Sequence, residues 1–378
     1  MKDGCCHIAI IDDGICLSSH DLPLLCYENF LNTEISEANT AHGSIVAQII
    51  RKYNSECHIS SLRVIDNYGN GDINNLVSAI KWCLANEVDV IHMSIGTTHF
   101  SDFPALQATI DDVLSMNITV VASQSNDCIF TLPACFDSVI GVRNSDECKP
   151  CEVIVQYNNW DGIDIVTSSR FTIKHPSGCV CPVSPSNSFA SPYVTALVSK
   201  LIARHGKMNK DAILAHLELG AIRVKGKPAK QSKRDHGTAP LCYFESYHYK
   251  DGKYPLQVYK DITTPTILVD DGNLHMALIN HFTSAGYNCY PIVIEEACAS
   301  REQESLIQED IQRFMSYIDI KYDPDMFVIF SKGDFIHSYD VKIALGDDII
   351  ISFSEGEQKK LPKNQINEMV NELSQYFV

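Results

Sequence analysis

The stretch HIAIIDDG, at His7–Gly14, indicates the fold class because an apolar run ends directly in an acidic turn. Its first five residues predict a buried β-strand. Three more runs of this character follow: HISSLRVI (His58–Ile65), VDVIHMSI (Val88–Ile95) and ITVVAS (Ile118–Ser123). Helical patterns at Ile73–Asn86 and Phe103–Met116 separate them. This alternation predicts an α/β fold with a doubly wound, mostly parallel sheet, whose functional groups lie at the carboxyl ends of strands.

The pattern changes twice along the 378 residues, a length that suits two or three domains. We expect a larger α/β domain over 1–220 and a basic linker with a possible hairpin over 221–262. From 263 to 378 a second apolar alternation begins, in a segment with 19 acids and 8 bases. It predicts a smaller, acidic α/β domain whose function the sequence does not reveal.

The net charge is −17, with 30 Lys and Arg against 47 Asp and Glu. Binding of nucleic acid needs a basic surface, so we expect no nucleic-acid partner. No apolar run approaches the roughly 20 residues of a membrane span, so we expect no membrane partner either. The sequence does not indicate an oligomeric state.

The 15 cysteines are odd in number and scattered along the chain, which is typical of reduced thiols. The beginning of the sequence, MKDGCCHIAIIDDG, also lacks the apolar core and cleavage site of a signal peptide. We therefore expect a cytoplasmic protein. Cys148, Cys151, Cys179 and Cys181 have in part the spacing of zinc ligands, so a structural zinc site and a disulfide remain open beside free thiols.

Three residues at the ends of predicted elements suggest a common chemistry: Asp12, His42 in HGSIVAQII and Ser188 in SNSFASPYVTALVSKLI. Singly, each is more often a turn or capping residue. Together, a carboxylate orients an imidazole, which takes the proton of a hydroxyl that attacks a carbonyl. The apolar stripe after Ser188 predicts a helix with Pro192 in its first turn, where a missing N–H is tolerated. Ser188 then lies at a helix N-terminus, which favours an oxyanion.

In their order Asp, His, Ser, these segments resemble the subtilisin-like serine proteases (subtilases) over about residues 5–205. Asp12–Gly14 is similar to the family's D-x-G, His42–Ser44 resembles H-G-T, and Ser188–Pro192 matches the nucleophile motif. Three intervening segments fall in family order: SLRVIDNYGNG (Ser61–Gly71), DVIHMSIG (Asp89–Gly96) and VVASQSND (Val120–Asp127). The resemblance implies a subtilisin-like fold for the first domain and a catalytic triad of the three residues above.

The resemblance also implies which residues hold the substrate. Asn126 corresponds to the asparagine whose amide donates to the oxyanion. Asp127 would lie at the rim of the primary pocket, where an acid favours Lys or Arg before the cleaved bond, with a solvated loop residue as the alternative. Two backbone segments would flank an extended peptide, namely Ser94, Ile95 and Gly96 in one and Ser123, Gln124 and Ser125 in the other.

These features imply a serine endopeptidase that acts on a peptide or protein substrate through an acyl-enzyme, without a cofactor. The Asn/Gly-rich loop that binds calcium in many relatives is missing, so we expect no metal at that site. Only 11 residues precede Asp12, so we expect no propeptide-dependent folding. The role we expect is limited intracellular processing, such as removal of a leader peptide. The alternative is a non-catalytic, subtilase-like module that binds peptide without cutting it.

Two departures from the family pattern fall beside the triad. Ser186-Asn187 replaces the family's Gly-Thr, and Gln124-Ser125 replaces Ala-Gly. We expect these bulkier side chains beside the nucleophile and along the primary pocket, where they would affect turnover and substrate preference. His92, inside a predicted strand, is expected to pack in the core or the substrate cleft.

Overall fold

The computed structural model describes residues 5–16, 23–31, 42–98, 102–126, 131–157, 162–174, 179–225, 242–244, 262–294, parts of 311–319, 324–332 and 339–377. The chain divides into two compact units. The first comprises Met1–Thr97 with Asp102–Asp235, and the second is mainly His236–Val378. Each unit alternates strands and helices around its own apolar core.

The first unit begins with the strand that the opening sequence predicts. Its strands are β1 (His7–Asp12), β2 (Leu24–Asn29), β3 (His58–Arg63), β4 (Val90–Met93), β5 (Thr119–Ser123), β6 (Ile140–Asn144), β7 (Val153–Gln156), β8 (Ile163–Thr167), β9 (Thr172–Lys174), β10 (Val180–Pro182) and β11 (Arg223–Lys225). Its helices are α1 (His42–Tyr53), α2 (Ile73–Ala85), α3 (Phe103–Ser115), α4 (Asn187–His205) and α5 (Lys210–Glu218). The four strands and two helices predicted near the start of the chain are all present.

Nine of these strands form one sheet in the order β11-β7-β8-β6-β5-β4-β1-β3-β2. Among the described strands of this sheet, β7 and β8 pair antiparallel and the other neighbours pair parallel. All six residues of β1 are buried, as expected for an inner strand of a parallel sheet with both faces covered. The predicted α/β class and mostly parallel sheet are confirmed, and β1 delivers Asp12 to the carboxyl edge.

Helix α4 lies inside this unit, packed against α1 and against β4, β5 and β6. It is buried on most sides, which is why its apolar residues do not form one narrow stripe. The helix begins at Asn187, so Pro192 is its sixth residue and lies in the second turn. The prediction of Pro192 in the first turn is therefore wrong, and a carbonyl within the helix loses its N–H partner.

The second unit holds a smaller sheet. Its strands are β12 (Cys242–Phe244), β13 (Thr266–Val269), β14 (Cys289–Ile294), β15 (Met326–Ser331), β16 (Val341–Leu345), β17 (Asp348–Phe353) and β18 (Gln358–Pro362), in the order β12-β14-β15-β13-β16-β17-β18. The described helices are α6 (Gly272–Ser284) and α7 (Ile366–Tyr376). The Asp271 carboxylate accepts the N–H groups of Asn273 and Leu274 and so caps α6. This unit is the predicted smaller α/β domain.

Two short strands lie within the predicted linker 221–262. Arg223–Lys225 pairs with β7, and Cys242–Phe244 pairs with β14 of the other unit's sheet. Residues 226–241 and 245–261 lie outside the described residues, so the possible hairpin stays a prediction. Three-residue edge strands carry too little pattern to be recognised from sequence.

The described cysteines are free thiols. Cys179 and Cys181 bring their sulfur atoms to 3.4 Å without a covalent bond. Within the described ranges, no three His, Cys, Asp or Glu side chains gather as metal ligands, so Cys148, Cys151, Cys179 and Cys181 do not form the zinc site left open above. No described helix is both long and apolar enough to cross a bilayer.

One largely buried ion pair ties α5 to the sheet. Lys210 Nζ lies 2.8 Å from Asp164 Oδ2 and donates to the carbonyl of Val139 at 2.7 Å. The same carboxylate oxygen accepts the N–H of Gly141. Burial raises the pKa of Asp164 to about 6, although the Lys210 ammonium opposes the rise. Since this pKa is above that of the unfolded chain, burial of Asp164 costs stability as the pH rises from about 4 to about 6 and the carboxyl ionises, and the Lys210 ammonium offsets that cost at higher pH.

Lys210→Met is expected to lower the free energy of unfolding by about 3–5 kcal/mol at pH 8, because Asp164 is left buried without a counter-charge. The loss is expected to be smaller at pH 5, where the carboxyl takes up a proton. Urea unfolding at both pH values measures the two losses. Arg170→Met removes the exposed partner of Asp146 and serves as the control, with an expected change under about 1 kcal/mol. Equal losses for Lys210→Met at both pH values would contradict this account.

Candidate active site

A carboxylate and an imidazole meet at the carboxyl edge of the first sheet. Asp12 ends β1 and is buried. His42 begins α1, and its Nδ1 lies 3.0 Å from Asp12 Oδ1 and 2.9 Å from Oδ2. An ionised carboxylate only accepts hydrogen bonds, so Nδ1 carries the proton. The other ring nitrogen, Nε2, is thereby left with its lone pair.

The neighbouring carboxylate of Asp13 positions the backbone of His42. Its oxygens accept the N–H of His42 at 2.7 Å and that of Gly43 at 2.8 Å, so it caps α1 from a distant segment. A Cβ on Gly43 would lie 2.5 Å from the carbonyl oxygen of Gly14, which leaves room only for glycine. Burial and the charge of Asp12 raise the pKa of Asp13. Asp13 occupies the variable position of D-x-G, so the motif does not single it out. The two adjacent acids in D-D-G are the feature of the sequence that could have indicated its role.

Ser188 lies on the side of the His42 ring opposite Asp12. It is the second residue of α4, and its Oγ lies 3.0 Å from His42 Nε2. The Phe189 ring stacks on the His42 ring, with centroids 4.7 Å apart and planes inclined by 26°. The structure thus brings together the three residues predicted as a triad, from three distant parts of the sequence.

The environment of His42 tunes its basicity. Burial alone would lower its pKa, but the charge and hydrogen bond of Asp12 outweigh burial, and the pKa is raised above its ordinary value of 6.5. Asp13 adds to the rise. A neutral imidazole with this pKa can accept a hydroxyl proton, and the Asp12 carboxylate stabilises the imidazolium that results.

Asn126 lies directly beside the start of α4. Its Oδ1 accepts the N–H of Asn187 at 2.8 Å, so the two N–H donors of its amide lie at the other end. The Asn187 side chain turns into the fold, where Nδ2 donates to the carbonyl of Ser125 at 2.7 Å and Oδ1 accepts the N–H of Asn144 at 2.8 Å. Asn187 therefore anchors the loops below the helix, whereas the sequence suggested bulk beside the nucleophile.

The sequence profile of the subtilase family matches residues 6–238, more than half of the chain. The chain belongs to this family. The predicted resemblance is confirmed, and the matched range extends beyond the predicted 5–205.

Individual relatives are distant. The chain is 32% identical to the minor extracellular protease Epr of Bacillus subtilis (strain 168) over 154 residues, which is 37% of this chain and 23% of that protein. It is 27% identical to subtilisin DY of Bacillus licheniformis over 241 residues, 57% of this chain and 84% of that one. The chain thus spans less than a quarter of the extracellular protease.

Solved structures of similar shape include a lanthipeptide protease with a TM-score of 0.47 and 19% identity, which covers 57% of this chain and 80% of that one. A cold-adapted subtilisin-like serine proteinase has a TM-score of 0.46 and 18% identity, with 56% and 81% covered.

The two segments expected to flank a substrate differ in accessibility in this subtilase. Ile95 is partly exposed and Gly96 is exposed, whereas the side chains of Ser123 and Gln124 are buried. Thr97, next in the first segment, pairs with Leu132 through two backbone hydrogen bonds of 2.9 and 2.8 Å. Ser125, the last residue of the second segment, is partly exposed; its N–H donates to the hydroxyl of Thr131 and its carbonyl accepts from Asn187. Asp127, expected at the pocket rim, lies outside the described residues.

The amide of Gln124 is unusual because it is buried and neither its nitrogen nor its oxygen has a hydrogen-bond partner among the described residues. Its backbone N–H donates to the carbonyl of Val142 and fixes the end of β5. A buried, unpaired amide is costly, and the alanine that the family pattern places here would avoid that cost.

Pro192 determines what holds the backbone of Ser188. In α4 the Ser188 carbonyl would accept the N–H of residue 192, and proline has none. Ser94 fills the gap, because its hydroxyl donates to this carbonyl at 2.8 Å. Ser94 lies just after β4, so a side chain from the sheet replaces the missing bond within the helix.

A buried histidine supports Ser94 in turn. The Oγ of Ser94 donates its proton to the backbone carbonyl of Ser188, so it accepts a hydrogen bond from His92 Nε2 at 2.8 Å. The other nitrogen of His92, Nδ1, lies 2.7 Å from the hydroxyl of Thr195, whose single proton is shared between Nδ1 and the carbonyl of Ser191 at 3.2 Å. Burial lowers the pKa of His92 to about 3, which keeps the ring neutral with a single N–H. Hydrogen bonds therefore connect Thr195, His92, Ser94 and the Ser188 carbonyl in one chain, which places His92 in the core. The hydroxyl of Ser191 lies beside this chain, 3.2 Å from Ser94 Oγ and 3.4 Å from the Ser188 carbonyl oxygen.

Ser94→Ala is expected to lower the free energy of unfolding by about 1–3 kcal/mol, because it leaves the His92 N–H unpaired and leaves the Ser188 carbonyl with only the longer bond from the Ser191 hydroxyl, at 3.4 Å. Urea denaturation measures the change. The control is Ser78→Ala, which removes an exposed hydroxyl that also donates to a carbonyl, that of Asn74, with an expected change within about 0.5 kcal/mol. Similar values for the two variants would show that Ser94 does not have this role.

Proposed function

We propose that this subtilase is a serine endopeptidase that cleaves peptide bonds through Asp12, His42 and Ser188. The observation that carries the proposal is the unbroken path of hydrogen bonds from the buried carboxylate through both ring nitrogens to the Ser188 hydroxyl, 3.0 Å from Nε2. Membership of the subtilase family supports it. The backbone N–H of Ser188, in the first turn of α4, adds a donor beside the hydroxyl.

In the proposed reaction, Ser188 Oγ attacks the carbonyl carbon of the scissile bond while its proton passes to His42 Nε2. Asp12 stabilises the imidazolium and holds its orientation. The carbon–nitrogen bond then breaks, and His42 returns the proton to the departing amine. A water molecule next gives a proton to His42 and attacks the ester. His42 returns this proton to Ser188 Oγ as the ester carbon–oxygen bond breaks, which releases the carboxylic acid and restores the Ser188 hydroxyl.

Asn126 and the start of α4 are proposed to stabilise the oxyanion of the intermediate. The carboxamide oxygen of Asn126 is occupied by the N–H of Asn187, so its amide nitrogen is the end available to a ligand. The backbone N–H of Ser188 belongs to the unpaired first turn of the helix. Donors fixed in this way are effective because they need no reorganisation as charge develops.

A fluorophosphonate probe is expected to label Ser188. Labelling should accelerate as the pH rises, with a midpoint above 6.5, because the reaction needs neutral His42 and its pKa is raised. Ser188→Ala should abolish labelling, and His42→Ala should reduce peptide turnover by on the order of a millionfold, the size of loss seen in subtilisin. In-gel fluorescence and mass spectrometry of the labelled peptide measure the labelling, and cleavage of a peptide substrate measures the turnover.

The control for labelling is Ser115→Ala, an exposed serine at the end of α3, which should be labelled like the wild type. Two outcomes contradict the proposal: labelling that survives Ser188→Ala, or no labelling of the wild type at any pH from 6 to 9. The second would favour a module that binds peptide without cleaving it.

We further propose that cleavage is limited processing in the cytoplasm, such as removal of a leader peptide. The free thiols of the described cysteines support a reducing compartment. The net charge of −17 favours basic substrates, and the second α/β unit offers an additional surface for recognition. Cell fractionation that recovers the protein outside the cytoplasm would contradict this location.

Limited processing predicts little digestion of casein, together with selective cleavage of a few members of a peptide library. The carboxylate of Asp127, expected at the rim of the primary pocket, predicts enrichment of Lys or Arg immediately before the cleaved bond. Mass spectrometry of both digests measures the two properties. Broad casein digestion at the rate of a secreted subtilisin would argue against limited processing, and a library profile without Lys or Arg enrichment would remove the role of Asp127.

A further inference from the structure

A second hydroxyl group lies next to the proposed nucleophile. Ser186 immediately precedes α4 at the capping position, yet its side chain makes none of the capping bonds typical of serine there. Its Oγ lies instead 2.9 Å from Oγ of Ser188. The family pattern has glycine at this position, so the contact belongs to this chain.

The direction of this hydrogen bond follows from counting protons. His42 donates its Nδ1 proton to Asp12, so its Nε2 accepts, and the Ser188 hydroxyl proton points to Nε2 at 3.0 Å. A hydroxyl has one proton to donate. Ser186 must therefore be the donor to Ser188 Oγ, and it occupies a lone pair of the attacking atom.

The backbone around Ser186 holds it in place. Its N–H donates to Oγ of Ser169 at 3.1 Å, and the N–H of buried Ser169 donates to Oδ1 of Asn144. The next residue, Asn187, is fixed at three atoms by Asn126, Ser125 and Asn144, as described above. The short contact between the two hydroxyls is thus a consequence of an anchored loop.

We propose that Ser186 restrains the nucleophile, so that this subtilase acylates more slowly than it would with glycine or alanine at this position. The inference rests on the proposed endopeptidase function and deepens it. In the resting state Ser186 donates to the hydroxyl oxygen of Ser188. In the transition state electron density of that oxygen is drawn into the new bond to carbon, which makes it a weaker acceptor on the way to the ester oxygen of the acyl-enzyme. An interaction that is stronger in the ground state than in the transition state slows the reaction.

The test is the second-order rate of labelling of Ser188 by a fluorophosphonate, measured for Ser186→Ala and Ser186→Gly. Both variants are expected to react roughly two- to tenfold faster than the wild type, the range for loss of one neutral hydrogen bond. The control is Ser184→Ala, which removes an exposed hydroxyl two residues earlier in the same loop and should leave the rate unchanged. Circular dichroism and thermal melting confirm that each variant is folded.

The outcomes separate this inference from the function on which it rests. Equal or slower labelling of folded Ser186→Ala and Ser186→Gly would overturn the restraint, and a large decrease would indicate that Ser186 donates to the oxyanion. Labelling of the wild type that disappears in Ser188→Ala shows that the proposed function stands in either case. Absence of labelling in wild type and variants alike would overturn the function itself.

Discussion

The hydrogen bonds between His42 and two adjacent carboxylates hold the candidate site together, because they fix both the ring and the backbone of one residue. Asp12 accepts from the ring, and Asp13 accepts from the N–H groups that open α1. Two neighbouring acids repel each other, and the raised pKa of Asp13 reflects this in part. The N-terminus of α1 offsets the repulsion, because its partial positive charge favours a carboxylate. The position of His42 therefore depends on the exact end of β1.

The backbone of Ser188 is held from below in a similarly indirect way. Pro192 removes one helical hydrogen bond, and Ser94 replaces it with a bond from the sheet. That replacement requires a polar chain through the core, in which neutral His92 satisfies both Ser94 and Thr195. Buried polar networks are stabilising only when every member is paired, and this one is. The backbone of Ser188 is thus linked to the end of β4 through hydrogen bonds between side chains.

Much of the first unit was predictable because its signals are local. The apolar periodicity of β1, β3, β4 and β5 and of α2 and α3 specifies these elements, and the order of Asp12, His42 and Ser188 indicates the family. The cap by Asp13, the place of Pro192 in α4 and the chain through His92 depend on contacts between distant segments, which no local pattern contains. The short strands β11 and β12 pair with different sheets for the same reason.

The replacements at Ser186 and Asn187, next to Ser188, show that side-chain size alone is a misleading guide to structure. In sequence, Ser186 and Asn187 are equivalent replacements of smaller residues, and both suggest crowding. In the structure, the larger one is harmless, because the side-chain amide of Asn187 is buried and pairs with the backbone of Ser125 and of Asn144. Ser186, the smaller replacement, contacts the hydroxyl oxygen of Ser188. It has an extended conformation one residue before the helix, and its hydroxyl makes no capping bond. The direction of each side chain, which is set by the residue where α4 begins, decides which replacement contacts the Ser188 hydroxyl.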